Sequence, residues 1–370
     1  MSATIGIVVT LCLTGDVMTG RGVDQVLPAA GDPRLRERYA ASARDYVTLA
    51  EAASGPVPQS VDFSWPWGDA LQVLEELRPD LRIANLETSI TTSDDFHPGK
   101  AVLYRMHPGN VPCLTAARLD ACALANNHVL DFGVGGLQDT LEVLTRAGLG
   151  PVGAGRDEQQ AWLPVALTAG GHRVLVWSVG SPSSGVPRSW EAARGDPGVA
   201  LLSEESAADG DAICERVSRM KQPGDIAVVS VHWGSNWGYD VPRKQVRLAH
   251  RLIHSGVDVV HGHSSHHPRA VEVYRDRLVL YGCGDLINDY EGIGGHERFR
   301  DDLRLVYLAR LDPAGGLEEL RIVPLQSRRM RLRLATDQDA RWLQQALRKA
   351  SRRFGSRFDH EPNANLLLHR

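Results

Sequence analysis

Ala125-Asn126-Asn127-His128, followed by Asp131-Phe132-Gly133, puts amide, imidazole and carboxylate groups within a few residues of one another. An amide oxygen is a neutral metal ligand. A neighbouring histidine can protonate a leaving group without binding the metal, and an aspartate three residues on can orient that ring by a hydrogen bond. The alternative is a set of polar side chains that pin a buried loop, because buried polar groups need partners. Three further clusters could meet this one in space. They are Gly15-Asp16, Asn85-Leu86-Glu87, and the histidines of Val231-His232-Trp233-Gly234 with His261-Gly262-His263-Ser264-Ser265-His266-His267. Together they offer the mixed oxygen and nitrogen ligands that hard-to-borderline divalent metals prefer.

Each cluster has two readings. Asp16 ends an apolar run and is either a ligand at a strand's carboxyl edge or a turn residue, with Gly15 allowing a sharp turn. Glu87 either bridges two metals, shares one with Asp16, or is a helix-start carboxylate. Four histidines within seven residues follow the apolar run Val257–Val260. His261 and His263, two apart, face one side of an extended strand, and His266 follows closely. Neutral imidazole is a common metal ligand, so all of these and His232 are metal candidates. Tyr281-Gly282-Cys283-Gly284-Asp285 is another strand-to-glycine turn, with Asp285 expected on the opposite wall of a pocket and Cys283 as a small packing residue. Arg105 and Asn126 are candidates for substrate contact, Arg105 because a guanidinium suits an anion.

The elements that must position these groups read as alternating strands and helices, which is an α/β chain. Strands are expected at Ile5–Thr14, Leu81–Asn85, Ala121–Ala125, His172–Val179, Ile226–His232, Val257–His261, Leu278–Tyr281, Leu303–Ala309 and Leu317–Val323. Several are β-branched and almost continuously apolar, as strands covered on both faces are. Helices are expected at Trp67–Leu77, Gly136–Ala147 and Arg243–Ser255. Leu137, Leu141 and Leu144 form one stripe of the second, and Gly148 is placed to stop it. Residues 31–66 break the rhythm as an insertion, a lid or wall of the site. Residues 181–200 read as a long loop. The main domain is expected over 1–325, with a basic helical extension over 326–370. A capping box at Thr336-Asp337-Gln338-Asp339 starts that helix and Gly355 stops it.

The net charge of −4 gives no general case for nucleic-acid binding. Five scattered cysteines without a CxxC pair suggest neither a disulfide framework nor a thiolate zinc site, and a reduced, cytoplasmic setting is expected. Ile5–Leu13 is too short to span a bilayer and lacks a basic leader, and no other segment approaches a span. No nucleotide-binding glycine motif or nucleophile elbow stands in a convincing context.

Gly15-Asp16-Val17-Met18, Asn85-Leu86-Glu87, Ala125-Asn126-Asn127-His128, His232-Trp233-Gly234 and Gly262-His263, in that order, resemble the capsule-synthesis CapA (PgsA-like) family of the calcineurin-like metallophosphatase superfamily. Tyr104-Arg105, Gly136-Leu137, Thr140-Leu141 and Gly153-Ala154-Gly155 extend the resemblance over residues 8–325. It implies an α/β/β/α sandwich with a metal site at strand ends. It also implies roles: Asp16 as the first-motif ligand, Glu87 in the bridging position, Asn127 as ligand, His128 as general acid, and His232, His263 and His266 as ligands. Met18 stands where the superfamily has a histidine, and His263–His266 are three apart rather than two, so one of two metal positions is expected to be weaker. The resemblance thus implies one or two divalent ions (Mn, Zn, Fe or Mg). The expected partner is an anionic small molecule or a γ-glutamyl polymer. Two functions follow: hydrolysis of a phosphoester or γ-glutamyl-type amide, or a non-catalytic accessory role in poly-γ-glutamate synthesis.

Overall fold

The computed structural model describes residues 7–58 and 61–369. Two sheets dominate. In the ten-stranded sheet, Val9–Val17 lies centrally. On one side Leu81–Leu86, Ala121–Ala123 and Gly150–Val152 run parallel to it. On the other side Leu303–Leu311 and Leu317–Ser327 continue antiparallel. The six-stranded sheet has the order Val271–Tyr274, Arg277–Leu280, Val259–His263, Ile226–His232, His172–Gly180, Val165–Ala169. Its four inner strands are parallel and its two edge strands antiparallel.

The period-two alternation of a strand decides which core each residue joins. Leu11 and Leu13 enter a core shared with Val174, Val176, Val228 and Val259 of the other sheet. Cys12, between them, joins a second core with Leu74, Leu137, Leu141 and Leu144 of two helices. Leu175, Trp177, Val229 and Val260 point the other way, into a third core with Ile213, Val217, Leu248 and Leu252. Strands covered on both faces explain the near-continuous apolar runs.

The helices lie at Asp69–Leu77, Gly133–Arg146, Ala207–Met220 and Arg243–His254, among others. The helix expected from Gly136 opens earlier, at Gly133, and stops as expected, with Gly148 at φ +75°. The expected first strand begins among residues outside the described ones. Within them it runs Val9–Val17 and so carries Asp16 inside the strand, past the end expected at Thr14. Residues 31–66 include the helix Arg44–Ser54, whose Tyr46 and Ala50 join the second core. Residues 181–200 hold two single-turn helices and the short strand Gly198–Val199. In the C-terminal segment Thr336 caps the helix Asp337–Ser351 by accepting from the Asp339 amide at 3.2 Å. Gly355, at φ +80°, ends the single turn that follows. The strands Arg357–His360 and Leu366–His369 then extend the larger sheet beside Leu317–Ser327. Among the described residues no helix is long and apolar enough to cross a membrane.

Candidate metal centre

The parallel strands of both sheets end on the same side, and the polar clusters sit at those carboxyl ends, where α/β proteins hold ligands. Asp16 is level with Asn85 on one neighbouring strand and with Asp285 on another. His232 and His263 are directly paired across the second sheet. Gly15 has no left-handed conformation. It is a glycine because a Cβ there would fall 1.6 Å from the Gly284 carbonyl oxygen. The backbone register also shifts between Thr14 and Asp16, which aims the carboxylate into the site.

Two groups of possible ligands share Asp16. In one, Asp16, His232 and His263 offer atoms all within 4.8 Å of one another; in the other, Asp16, His266 and Asp285 do. His232 and His263 face each other through their Nδ1 atoms at 2.8 Å. The Nε2 of His232 lies 3.0 Å from Asn127 Oδ1. Glu87 borders both groups: its Oε2 is 4.0 Å from His232 Nδ1 and accepts from Asn85 Nδ2 at 3.0 Å. The same Asn85 amide donates to Asp16 Oδ1 at 2.8 Å. His266 Nδ1 is 2.9 Å from Asp285 Oδ1. Between His263 and His266 the buried Ser264 holds φ +94°, a backbone state rare for a side-chain-bearing residue. That kink falls in the segment joining His263 to His266.

Beside this centre stands a histidine–aspartate pair. His128 Nδ1 is 2.6 Å from Asp131 Oδ2, and His128 Nε2 is 3.8 Å from Glu87 Oε1. Tyr104 meets the imidazole edge-on at 4.7 Å, and its amide donates to Asp131 Oδ2 at 2.7 Å. Lys100, not singled out in the sequence, completes the group. Its ammonium donates to Asp131 Oδ1 and the Asn127 carbonyl and lies 3.2 Å from His128 Nδ1. Lys100, Asn127, His128, His232, His266 and Tyr290 are among the residues lining a cleft of about 240 Å³.

Other candidates lie outside this constellation. His261 does share a face with His263, since both rings reach Ser230 Oγ. Its other nitrogen, however, is taken by the Thr14 carbonyl at 2.8 Å, which leaves none for a metal. Arg105 does not reach the cleft. It donates to the Ser93 and Asp32 carbonyls and to Asp94, tying the insertion to the loop that carries Ser93 and Asp94. Asn126 is fully buried and braces the loop through Asn85, the Leu86 carbonyl and the His128 amide. Asp285, expected on a far wall, stands beside Asp16 instead. Cys283 is buried in the inter-sheet core.

The electrostatics favour a cation. Burial pushes the Asp16 carboxyl up to about 7, and the neighbouring Asp285 adds to the rise. Burial, Asp16 and Asp285 together lift Glu87 well above the usual range. Burial also drives the His232 and His263 imidazoles far down, into the neutral form that binds metal. His266 moves the other way: burial opposes its charge, but the Asp285 carboxylate outweighs it. Three clustered buried carboxylates repel one another, and Asp16 Oδ2 has no hydrogen-bond partner. A divalent ion would neutralise that repulsion and use the free oxygen, so the donor set fits a metal with oxygen and imidazole ligands. At the pair, burial and Lys100 push His128 down to about 4 despite Asp131. Asp131 stays below the usual range, because His128 and Lys100 outweigh its burial. The resting state is a neutral imidazole held by a carboxylate.

The family model described as bacterial capsule synthesis protein PGA_cap matches residues 10–290. A Mycobacterium tuberculosis relative named "probable polyglutamine synthesis accessory protein" is 54% identical over 363 residues, 97% of this chain and 95% of its own. The PGA biosynthesis protein CapA of Bacillus subtilis is 27% identical over 241 residues, covering 65% of this chain and 60% of that one. Among solved structures, a 5'-nucleotidase precursor from Thermus thermophilus aligns over 86% of this chain and 54% of its own, at 17% identity and a TM-score of 0.47.

Proposed function

The chain belongs to the bacterial capsule synthesis protein family PGA_cap, and from that premise we propose that it is a metal-dependent hydrolase acting on an anionic substrate. We read the two facing sheets, each with helices on its outer face, as an α/β/β/α sandwich of the metallophosphatase type. The observation that carries the activity is Asp16, a buried carboxylate common to two ligand groups and with one oxygen unpartnered.

Asp16, His232 and His263 would hold one ion, and Asp16, His266 and Asp285 a second, with Glu87 and Asn127 at their margins. A bound divalent ion supplies Lewis acidity and makes a water easier to deprotonate. The chain's own groups do the rest. His128 presents Nε2 to the cleft; once that nitrogen has taken up a proton from solvent it would give it to the departing group, while Asp131 fixes the ring through Nδ1. Burial, with help from Lys100, keeps His128 neutral before substrate arrives. An anionic substrate in the cleft would offset that ammonium and raise the proton affinity of the ring. The scissile bond is a phosphoester or a γ-glutamyl-type amide.

The test is metal content by elemental analysis, with turnover of an aryl phosphodiester and of a γ-glutamyl oligomer in added Mn or Zn. His128→Ala is expected to keep its metal and lose turnover. Full turnover in that variant removes His128 from the chemistry. A second reading is a non-catalytic accessory protein that binds γ-glutamyl polymer; its accessory part is supported by the name of the M. tuberculosis relative, a probable polyglutamine synthesis accessory protein. Bound metal with no turnover of either substrate would select it.

A further inference from the structure

A second cavity lies outside the metal centre. It has a volume of about 490 Å³ and is formed by the C-terminal helix against the segment 239–241 and Arg298. Trp342, Ala346, Ala350 and Val241 give it an apolar side, and Arg298, Lys349, Arg352 and Arg353 give it a cationic one. Asp240 is the one carboxylate in the lining. This concentration of positive charge stands out on a chain whose net charge is −4.

The partners of these cations separate them from an ordinary solvated basic face. On the same helix, Arg341 is paired with Asp337 at 2.8 Å and Arg348 with Asp359 at 3.6 Å. Arg353 is held by the Val241 carbonyl at 2.5 Å, which turns it toward the cavity. Among the described residues, Arg298, Lys349 and Arg352 have no carboxylate within ion-pair distance. Arg352 also lines an adjoining, larger cavity of about 900 Å³ with Arg348, Arg357 and His369, where Asp359 is the carboxylate. The basic surface therefore runs through two cavities in succession, longer than one small anion requires.

The surface also leads to the cleft. Asn236 lines the cleft and Tyr239 lines the cavity. Three residues of chain span at most about 11 Å. Between them Trp237 stacks on His296 at 3.8 Å and touches the candidate ligand His266 at 5.4 Å. Tyr239 packs on His267 at 4.6 Å. An aromatic ridge thus separates the two sites without placing them far apart.

We propose that this cavity is a binding site for an extended polycarboxylate, gripping successive carboxylates of a γ-linked glutamate chain with Arg298, Lys349 and Arg352 while its methylene groups lie on Trp342. The choice of polymer rests on the functional reading above; the cation-lined site does not. Several exposed cations acting on one chain give modest, salt-sensitive gains each, which suits a polymer held at many points.

The experiment measures binding of a fluorescein-labelled γ-glutamate decamer to the full chain by anisotropy, in EDTA so that nothing is cleaved, at low and raised salt. Reversing both charges, Lys349→Glu with Arg352→Glu, is expected to weaken binding at least about tenfold and to flatten its salt dependence. Arg341→Glu, on the same helix but already paired, is expected to change affinity less than about twofold. The milder Lys349→Gln with Arg352→Gln serves if the reversed pair does not fold. Unchanged affinity in the double variant, or an equal loss in Arg341→Glu, overturns the proposal. So does polyphosphate displacing the decamer at far lower concentration than unlabelled γ-glutamate chains. Turnover of the aryl phosphodiester reads the metal centre separately, so loss of that activity with the decamer still bound counts against the hydrolase and not against this site.

Discussion

The Asp16 amide donates to the Gly284 carbonyl at 3.0 Å, which brings the two halves of the candidate metal centre into backbone contact. The contact needs a glycine on each side. Gly284 sits at φ +77°, and a Cβ on Gly15 would overlap the Gly284 oxygen. Backbone cannot rotate aside as a flexible side chain can. Gly15→Ala is therefore expected to cost about 3 kcal/mol or more, the upper range for overpacking, and to reduce metal content by separating Asp16 from Asp285. Thermal unfolding with elemental analysis checks both. A melting temperature equal to that of the parent chain would mean that the strand and the turn slide apart freely.

The two ligand groups can be separated chemically because each has members the other lacks. Asp285→Asn is expected to weaken the site formed with His266, and His263→Ala the site formed with His232. Each should lower metal stoichiometry without abolishing it. His261→Asn should leave stoichiometry unchanged, because both nitrogens of His261 are already bonded within the protein. If His261→Asn strips the metal while Asp285→Asn does not, the grouping around Asp16 is wrong.

Lys100 is the cation nearest the His128–Asp131 pair, and its effect on that pair has a definite sign. The ammonium disfavours a proton on His128, so Lys100→Met should raise the imidazole pKa from about 4 toward its ordinary value. Nitrogen chemical shifts of His128 in a pH titration measure this directly. Because the same ammonium holds the Asn127 carbonyl and Asp131 in place, turnover should nonetheless fall by roughly ten- to a hundredfold, the scale of losing a supporting hydrogen-bond partner, with metal retained. An unmoved His128 titration would show that Lys100 does not face the ring.

The sequence exposed the site unevenly, for physical reasons. Asp16, Glu87, Asn127, His128, His232 and His263 lie at or just beyond the ends of buried strands, and long apolar runs make those ends visible. Lys100 belongs to the Gly/Pro-containing segment His97-Pro98-Gly99-Lys100, which has no periodicity to read. Its one signal is compositional: only four of the 41 basic residues are lysine. Asp285 was visible as a residue but not as a neighbour of Asp16, because the pairing spans 269 positions of chain and depends on the Gly15–Gly284 contact. Arg105 was misleading for the opposite reason. A lone arginine near a motif says nothing about carbonyls elsewhere that will bind it.

His267 allows a pH test away from the His128–Asp131 pair. Its Nε2 accepts from the Gly238 amide at 3.0 Å and its Nδ1 reaches the Pro268 carbonyl at 3.0 Å, with Phe299 stacked on the ring at 4.5 Å. Burial pushes the imidazole down to about 4 from an ordinary 6.5. Below pH 6.5 the unfolded chain therefore takes up a proton that the folded chain refuses until about pH 4. The folded state binds fewer protons across that window, so stability falls as pH falls. In the metal-free protein, His267→Gln should remove one proton from this balance and make the acid limb shallower by up to about 1.4 kcal/mol per pH unit. The comparison is of slopes from urea unfolding at several pH values, because the substitution also changes packing at every pH. Parallel slopes in the two proteins would mean that His267 titrates in the fold as it does in water, contrary to its enclosure by Trp237, Tyr239 and Phe299.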